Sequence, residues 1–290
     1  MIGRIRQKIW MTKPTRSVGG DLLVLLLIGA AAAYSALPLV YSISNAFKPP
    51  NELFLWPPQF FVRNPTLANF YDLLVLMSSS WIPFSRYLVN TLVITLGGTA
   101  GHVIIASLAA YALAKHDFPG SKFMFSLVVL SLMFAKQVTA IPKYLITSVL
   151  GLVDTHWAII LPAWCMSLGL FLMKQFIEAM IHDALLESAR IEGASEWTIF
   201  WRIVMPNVRP GWLTLIILSF QALWGETGGQ FIYSEQLKTL PNALSQIVSA
   251  GIARAGVAAA VGVITMILPI TVFVINQSKV IDTMGASGIK

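Results

Sequence analysis

The chain has 290 residues, 56% of them hydrophobic and only 11% charged, with a mean hydropathy of +0.73 and a formal net charge of +7. This composition excludes an ordinary soluble domain, in which about a quarter of residues are charged. The positive balance does not point to nucleic acid, because the cations are scattered between apolar runs and phosphate attraction needs a continuous basic surface. The single cysteine, Cys165, can build neither a disulfide framework nor a metal cluster alone.

A membrane-crossing helix needs about 20 mostly apolar residues, and about six stretches qualify, which makes the expected fold all-α and polytopic. Residues 1–21 form a segment carrying Arg4, Arg6, Lys8, Lys13 and Arg16. The first apolar stretch, Leu22 to Ala46, runs well past the about 7 to 15 residues of a cleaved signal, so a retained helix is expected. Next comes 48–85, where Pro49, Pro50, Pro57, Pro58 and Pro65 alternate with aromatics. This segment reads as an ordered loop with neither strand nor long helix. The remaining stretches are Tyr87 to Ala114, Phe123 to Ile141, Trp157 to Ile177, Trp212 to Trp224 and Val257 to Ile275. The fifth is short and should extend past Glu226 or begin before Pro210. The transmembrane region is thus 22–280, followed by a tail at 281–290.

Orientation follows from Lys and Arg placement. With the N-terminus in the cytoplasm, inside segments hold its five cations plus Lys115, Lys122, Lys174, Arg190, Arg202, Arg209, Lys279 and Lys290. The opposite side holds Lys48, Arg63, Arg86, Lys143, Lys238 and Arg254. The inside set is about twice the outside set, which favours both termini in the cytoplasm and an extracytoplasmic 48–85.

The cytoplasmic segment 178–210 then stands out. Asp183 can cap a helix whose apolar face is Leu185, Leu186, Ala189 and Ile191. Gly193 breaks the chain there, taking a positive φ or letting two helices approach closely. Ser195 can cap a second short helix bearing Trp197, Ile199, Phe200, Ile203 and Val204 that stops before Pro206. Two readings fit this helix–turn–helix knob. One is a docking surface, given its exposed apolar area. The other is an interfacial helix pair, with Trp197 and Trp201 as aromatic anchors and Arg190 and Arg202 facing lipid phosphates.

Glu187, Ser188 and Ala189, then Gly193 and Ala194, then Ile203 to Pro206 resemble the EAA loop of ABC-transporter permeases, which docks in a cleft of the ATP-binding subunit. Asn45 to Leu74, Tyr87 to Thr91 (YLVNT), Ala109 to Gly120 (AAYALAKHDFPG) and Gln137 to Tyr144 (QVTAIPKY) are similar to carbohydrate-uptake permeases of the maltose type. Specifically they resemble the smaller, MalG-like partner of the heterodimer. Thr283 to Lys290, with Met284, Gly285, Gly288 and Lys290, resembles that partner's tail, which reaches between the ATPase subunits. Three departures are mild: Ser188 for the second residue of EAA, Glu192 for aspartate and His182 for proline. A fourth, Trp224 to Gln230 (WGETGGQ), differs from the usual Trp-Asn-Asp/Glu-Phe run, so relatives' substrate contacts are not carried onto it.

The resemblance implies a permease subunit of an importer in a bacterial or archaeal inner membrane. Its partners would be a second homologous permease, two ATP-binding subunits and an extracytoplasmic solute-binding protein. It implies a sugar or oligosaccharide as cargo, with a glycerol phosphate or other polyol derivative as the alternative. No catalytic residue, metal or cofactor is assigned to this chain; ATP and Mg belong on the partner ATPases, in keeping with the lack of a GxxxxGK[ST] run here. Polar and aromatic residues in or near apolar stretches are candidates for the substrate path: Asn90, Gln137, Trp164, Gln221, Trp224 and Glu226. Each can equally be an interhelical hydrogen bond or interface anchor. Gly97 and Gly101 form a GxxxG that permits close packing, and His102 reads as a packing residue. A secondary transporter would need more helices, internal repeats or intramembrane acids, of which Glu226 is the clearest candidate. An intramembrane enzyme would need converging groups, yet His102, His116, His156 and His182 are dispersed and neither HExxH nor GxSxG occurs.

Overall fold

The computed structural model describes residues 18–78, 81–249, 251 and 254–287, and its regular structure is helical throughout. The helices are α1 (Val18–Ala46), α2 (Ala68–Ser78), α3 (Phe84–Lys115), α4 (Ser121–Ser131), α5 (Lys136–Val149), α6 (Trp157–Trp164) and α7 (Ser167–Met180). After them come α8 (Asp183–Ile191), α9 (Glu196–Asn207), α10 (Arg209–Trp224), α11 (Leu240–Val248) and α12 (Ala255–Ser287).

Four runs among the described residues are long and apolar enough to cross a membrane: Gly19–Ala46, Phe84–Lys115, Trp157–Met180 and Ala255–Ile275. A fifth arises if α9 and α10, bent by 79° at Val208, are counted together. The short fifth stretch therefore begins before Pro210 and stops at Trp224. The stretch Phe123 to Ile141 is not one helix but two, α4 and α5, with residues 132–135 between them. An unbroken helix would have carried Lys136 and Gln137 mid-span, where a cation is costly; the break puts both at a helix start. The segment 48–85 is also more helical than expected, since α2 supplies 11 residues there.

Packing centres on α3. It contacts α6, α7 and α10, and at about 1.5 Å per residue its 32 residues reach about 48 Å, longer than the about 30 Å hydrocarbon layer. Three glycines on it are seats for neighbours. A Cβ on Gly101 would fall 1.9 Å from Trp164 Nε1, and one on Gly98 would fall 2.5 Å from Leu223 Cδ1. The Trp164 indole donates to Gly97 O at 3.0 Å. So the GxxxG accommodates an indole ring. His102 is buried against Gly169 and lies 3.3 Å from Trp164 O, a packing role as expected.

Two clusters at opposite ends of α3 complete the core. One gathers Ala110, Tyr111, Met173, Ile177, Leu186, Ala189, Ile199, Phe200 and Val204 around the knob. The other gathers Ala46, Leu73, Met77, Tyr87, Leu240, Leu244, Val257 and Ala260. By contrast, the most apolar window of α1 buries nothing within the chain, which leaves it for lipid or another subunit.

Candidate coupling knob and substrate path

The knob is built as a helix, a left-handed turn and a second helix. His182, not Asp183, is the N-cap of α8; Asp183 is its first residue, where a carboxylate meets the helix dipole favourably. Helix α8 buries Leu186 and Ala189 only, leaving Leu185 44% and Ile191 82% exposed, so the predicted four-residue apolar face is split. Gly193 has φ +83°. Its N–H donates to Arg190 O and that of Ala194 donates to Ala189 O, both at 3.0 Å. This pair of bonds is a Schellman turn, which satisfies two carbonyls that a helix end would otherwise leave open. Nothing lies within 4 Å of a Cβ built at Gly193, so the positive φ rather than close packing calls for glycine.

Ser195 caps α9 as predicted, its Oγ accepting from Thr198 N at 3.3 Å. The helix does not stop before Pro206. It continues to Asn207 through a π-turn at Phe200–Val204. That wider turn re-registers the backbone just ahead of a residue that has no N–H to give. The face turned from the core carries Glu187, Ser188, Ile191 and Trp197, the last 62% exposed. Ser188 Oγ donates back to Ala184 O at 2.9 Å. Among the described residues Glu187 makes no ion pair. Ala189 faces inward, Ala194 is half-buried and Pro206 is exposed.

Several polar groups that sequence reasoning missed tie this knob to the end of α3. Tyr111 Oη donates to Glu196 Oε2 at 2.7 Å, and Arg190 Nε donates to Glu196 Oε1 at 2.7 Å. His116 Nε2 lies 3.4 Å from the same carboxylate. One turn along α3 from Tyr111, Lys115 Nζ donates to Ile181 O at 2.6 Å and to Asp183 Oδ1 at 2.7 Å. The Arg190 hydrogen bond, with that of Tyr111, holds the Glu196 carboxyl below its ordinary value. Lys115 does the same for Asp183. The partners that join α3 to the knob stand 66 to 85 residues apart in the chain, so no local spacing could reveal them.

The path candidates do not converge. Asn90 is buried and donates to Gln236 O at 2.8 Å and Lys238 O at 3.0 Å, pinning a loop. Trp164 is occupied by Gly97, as described above. Gln137 is exposed at the start of α5. Glu226 accepts from Gly228 N at 3.3 Å just beyond α10, where it braces a turn. Gln221 and Trp224 share a groove of about 740 Å³, walled by Leu244, Val261, Thr265 and Pro269. Trp224 spends its N–H on Thr265 O at 2.7 Å, so it presents ring surface there. Of the tail residues, Met284 and Gly285 fall on the last turns of α12, while Gly288 and Lys290 lie outside the described residues.

A helical chain with several runs long and apolar enough to cross a membrane and a helix–turn–helix knob at one end has the form of a membrane component. Residues 102–282 match the family model described as binding-protein-dependent transport system inner membrane component. The chain belongs to this family. It is 31% identical to protein LplC of Bacillus subtilis (strain 168) over 73% of this chain and 70% of that one. It is also 26% identical to the galactooligosaccharides transport system permease protein GanQ of the same organism, over 91% and 94% respectively. The fold is that of a chain in the crystal structure of a bacterial ABC transporter involved in alginate import, with a TM-score of 0.76 at 21% identity over 92% of this chain and 99% of that one.

Proposed function

We propose that this chain forms half of the translocation path of an ATP-driven importer for a sugar or oligosaccharide, and that the knob at 178–210 docks on a separate ATPase subunit. The knob carries the docking reading. Its inward residues belong to the core, its turn is fixed by Gly193, and its outward face leaves Glu187, Ile191 and Trp197 for another protein. Coupling of two distant sites needs a stiff lever with two arrangements and a socket that fits it. Ser188, Ala189, Ala194 and Pro206 shape the lever, and Glu187 supplies a polar contact. The carbohydrate cargo is drawn from GanQ, whose name specifies galactooligosaccharides.

The remaining assembly follows from the same reading. A second permease covers the bare faces of α1 and the groove at Gln221 and Trp224. A solute-binding protein delivers cargo on the side of 48–85, and two ATPases hold ATP and Mg on the side of the knob. Both termini then lie in the cytoplasm, in accord with the excess of Lys and Arg there, and the tail from Met284 to Lys290 reaches toward the ATPases.

The test is co-purification from gently solubilised membranes, with ATP hydrolysis measured against a sugar panel in the presence of binding protein. Recovery of an ATPase and a second permease with sugar-stimulated hydrolysis is expected. Transport by the chain alone, driven by an ion gradient without ATP, would overturn the reading.

A further inference from the structure

We infer that α3 is the transmission rod of this subunit, clamped to the coupling knob at one end and to the extracytoplasmic 235–240 segment at the other. The inference rests on the docking reading above and names how the signal leaves the knob. The knob is flanked in sequence by α7 and α10, and the Trp212 indole of α10 donates to Met205 O at 3.0 Å, yet the charged groups of α8 and of the start of α9 attach to α3. Lys115 grips Asp183 at the start of α8 and Ile181 just ahead of it. Tyr111, one turn earlier, grips Glu196, which Arg190 bonds from the end of α8. Both ends of the coupling helix are therefore held by adjacent turns of one helix. Two anchor points fix direction as well as position, so a tilt of the knob becomes a tilt of α3.

The far end is held in the same manner. Tyr87 Oη donates to Glu235 Oε1 at 2.9 Å, Asn90 donates to the carbonyls of Gln236 and Lys238, and Leu240 N donates to Thr91 Oγ1 at 2.8 Å. Arg86 Nε adds a bond to Gln236 O at 3.3 Å. Between the clamps α3 holds no proline. Its weak region, Gly97 to Gly101, is splinted by Trp164 and Leu223, so the glycines do not act as a hinge. Tyr111, Lys115, Asp183, Arg190 and Glu196 at the near end, with Tyr87, Asn90 and Thr91 at the far end, are positioning residues that touch neither ATP nor cargo.

The experiment uses the complete importer in proteoliposomes. Ser188→Cys reports docking by cross-linking to a cysteine on the ATPase. Amide exchange over 235–246 with and without a non-hydrolysable ATP analogue reports whether the far end feels nucleotide. In the otherwise unmodified chain the cross-link forms and 235–246 responds. In Glu196→Gln and Lys115→Met the cross-link is expected to persist, while the exchange response disappears and the ratio of loaded-binding-protein-stimulated to basal hydrolysis falls about tenfold. The conservative variant Lys115→Arg keeps a donor cation facing Ile181 O and Asp183 and should retain at least half of that ratio, which separates loss of the clamp from a general folding defect. Should Glu196→Gln fail to assemble, Tyr111→Phe removes one hydroxyl and carries the same test. An intact cross-link with an unchanged exchange response in these variants overturns the rod alone. Absence of the cross-link in the unmodified chain overturns the docking reading and the rod with it.

Discussion

Replacing Gly193 by alanine tests the knob at its most constrained point. The backbone there has φ +83°, and a Cβ would meet no atom within 4 Å, so the penalty is conformational and not steric crowding. A left-handed L-residue costs about 1–2 kcal/mol. That strain bears on the two Schellman bonds, at 3.0 Å each, that end α8 and aim the chain into α9. A change of this size moves the local closed-to-open ratio by about 5- to 30-fold. Asparagine, which visits the left-handed region more readily, should fall between glycine and alanine, and β-branched valine should be worst. The assay is amide exchange over 183–207 in the assembled importer, run beside sugar uptake per ATP hydrolysed. We expect exchange to rise in the order Gly, Asn, Ala, Val while the coupling ratio falls in the same order. If Gly193→Ala and Gly193→Val both matched the wild-type chain in exchange and coupling, the turn would not hold the lever and the reasoning from backbone conformation would be wrong.

Asn90→Ala leaves two loop carbonyls without their side-chain donor and should destabilise the subunit by about 1–3 kcal/mol, read as a lower melting temperature, with cargo preference unchanged in uptake competition. Gly101→Ala must displace the Trp164 indole, so the Trp164–Gly97 bond is lost and the detergent-solubilised complex should melt earlier; Gly97→Ala, which meets only Ile160 at 3.7 Å, is the mild control. Asp154 sits at φ +62° and accepts from Tyr233 N at 2.9 Å and Ser234 N at 2.8 Å, so Asp154→Asn should be gentler than Asp154→Ala in exchange over 231–236. Because the folded Glu196 carboxyl lies below its ordinary 4.5, its stabilising contribution is complete above that pH and fades as the pH falls through the lowered value. Exchange over 183–207, corrected for the slower intrinsic exchange of amides in acid, should therefore rise on acidification below about pH 4.5, and Glu196→Gln should reduce that rise, leaving the part due to Asp183 and its Lys115 partner.

The long spans were legible because their apolar runs match the bilayer in length, and the Gly193 turn and Ser195 cap because each is a local device read from a few residues. The split of Phe123 to Ile141 was less legible: the apolar run continues across it, and the warning lay only in the polar pair Lys136 and Gln137. Splitting of the α8 face was hidden for another reason. Leu185 and Ile191 fit the helical period as well as Leu186 and Ala189 do, but the core reaches only the second pair. Least legible were the clamps. Tyr111 reads as an ordinary aromatic at a span end and Glu196 as a solvated first-turn acid until the fold brings them to 2.7 Å. Asn90 shows the converse: a buried amide in a span invites a substrate, yet the backbone of 236–238 had already claimed it.

The covering of α1 and α2 has a consequence for synthesis. Ala46, Leu73 and Met77 are buried by Val257 and Ala260 of α12, and Asn69, which donates to Ala46 O and Lys48 O, lies against Gly256. On the ribosome the early helices must wait in the bilayer, with that seam open, until α12 emerges long afterwards. A chain truncated before Ala255 would keep every other span and still expose the seam, giving membrane proteases a mark by which to tell unfinished copies from finished ones.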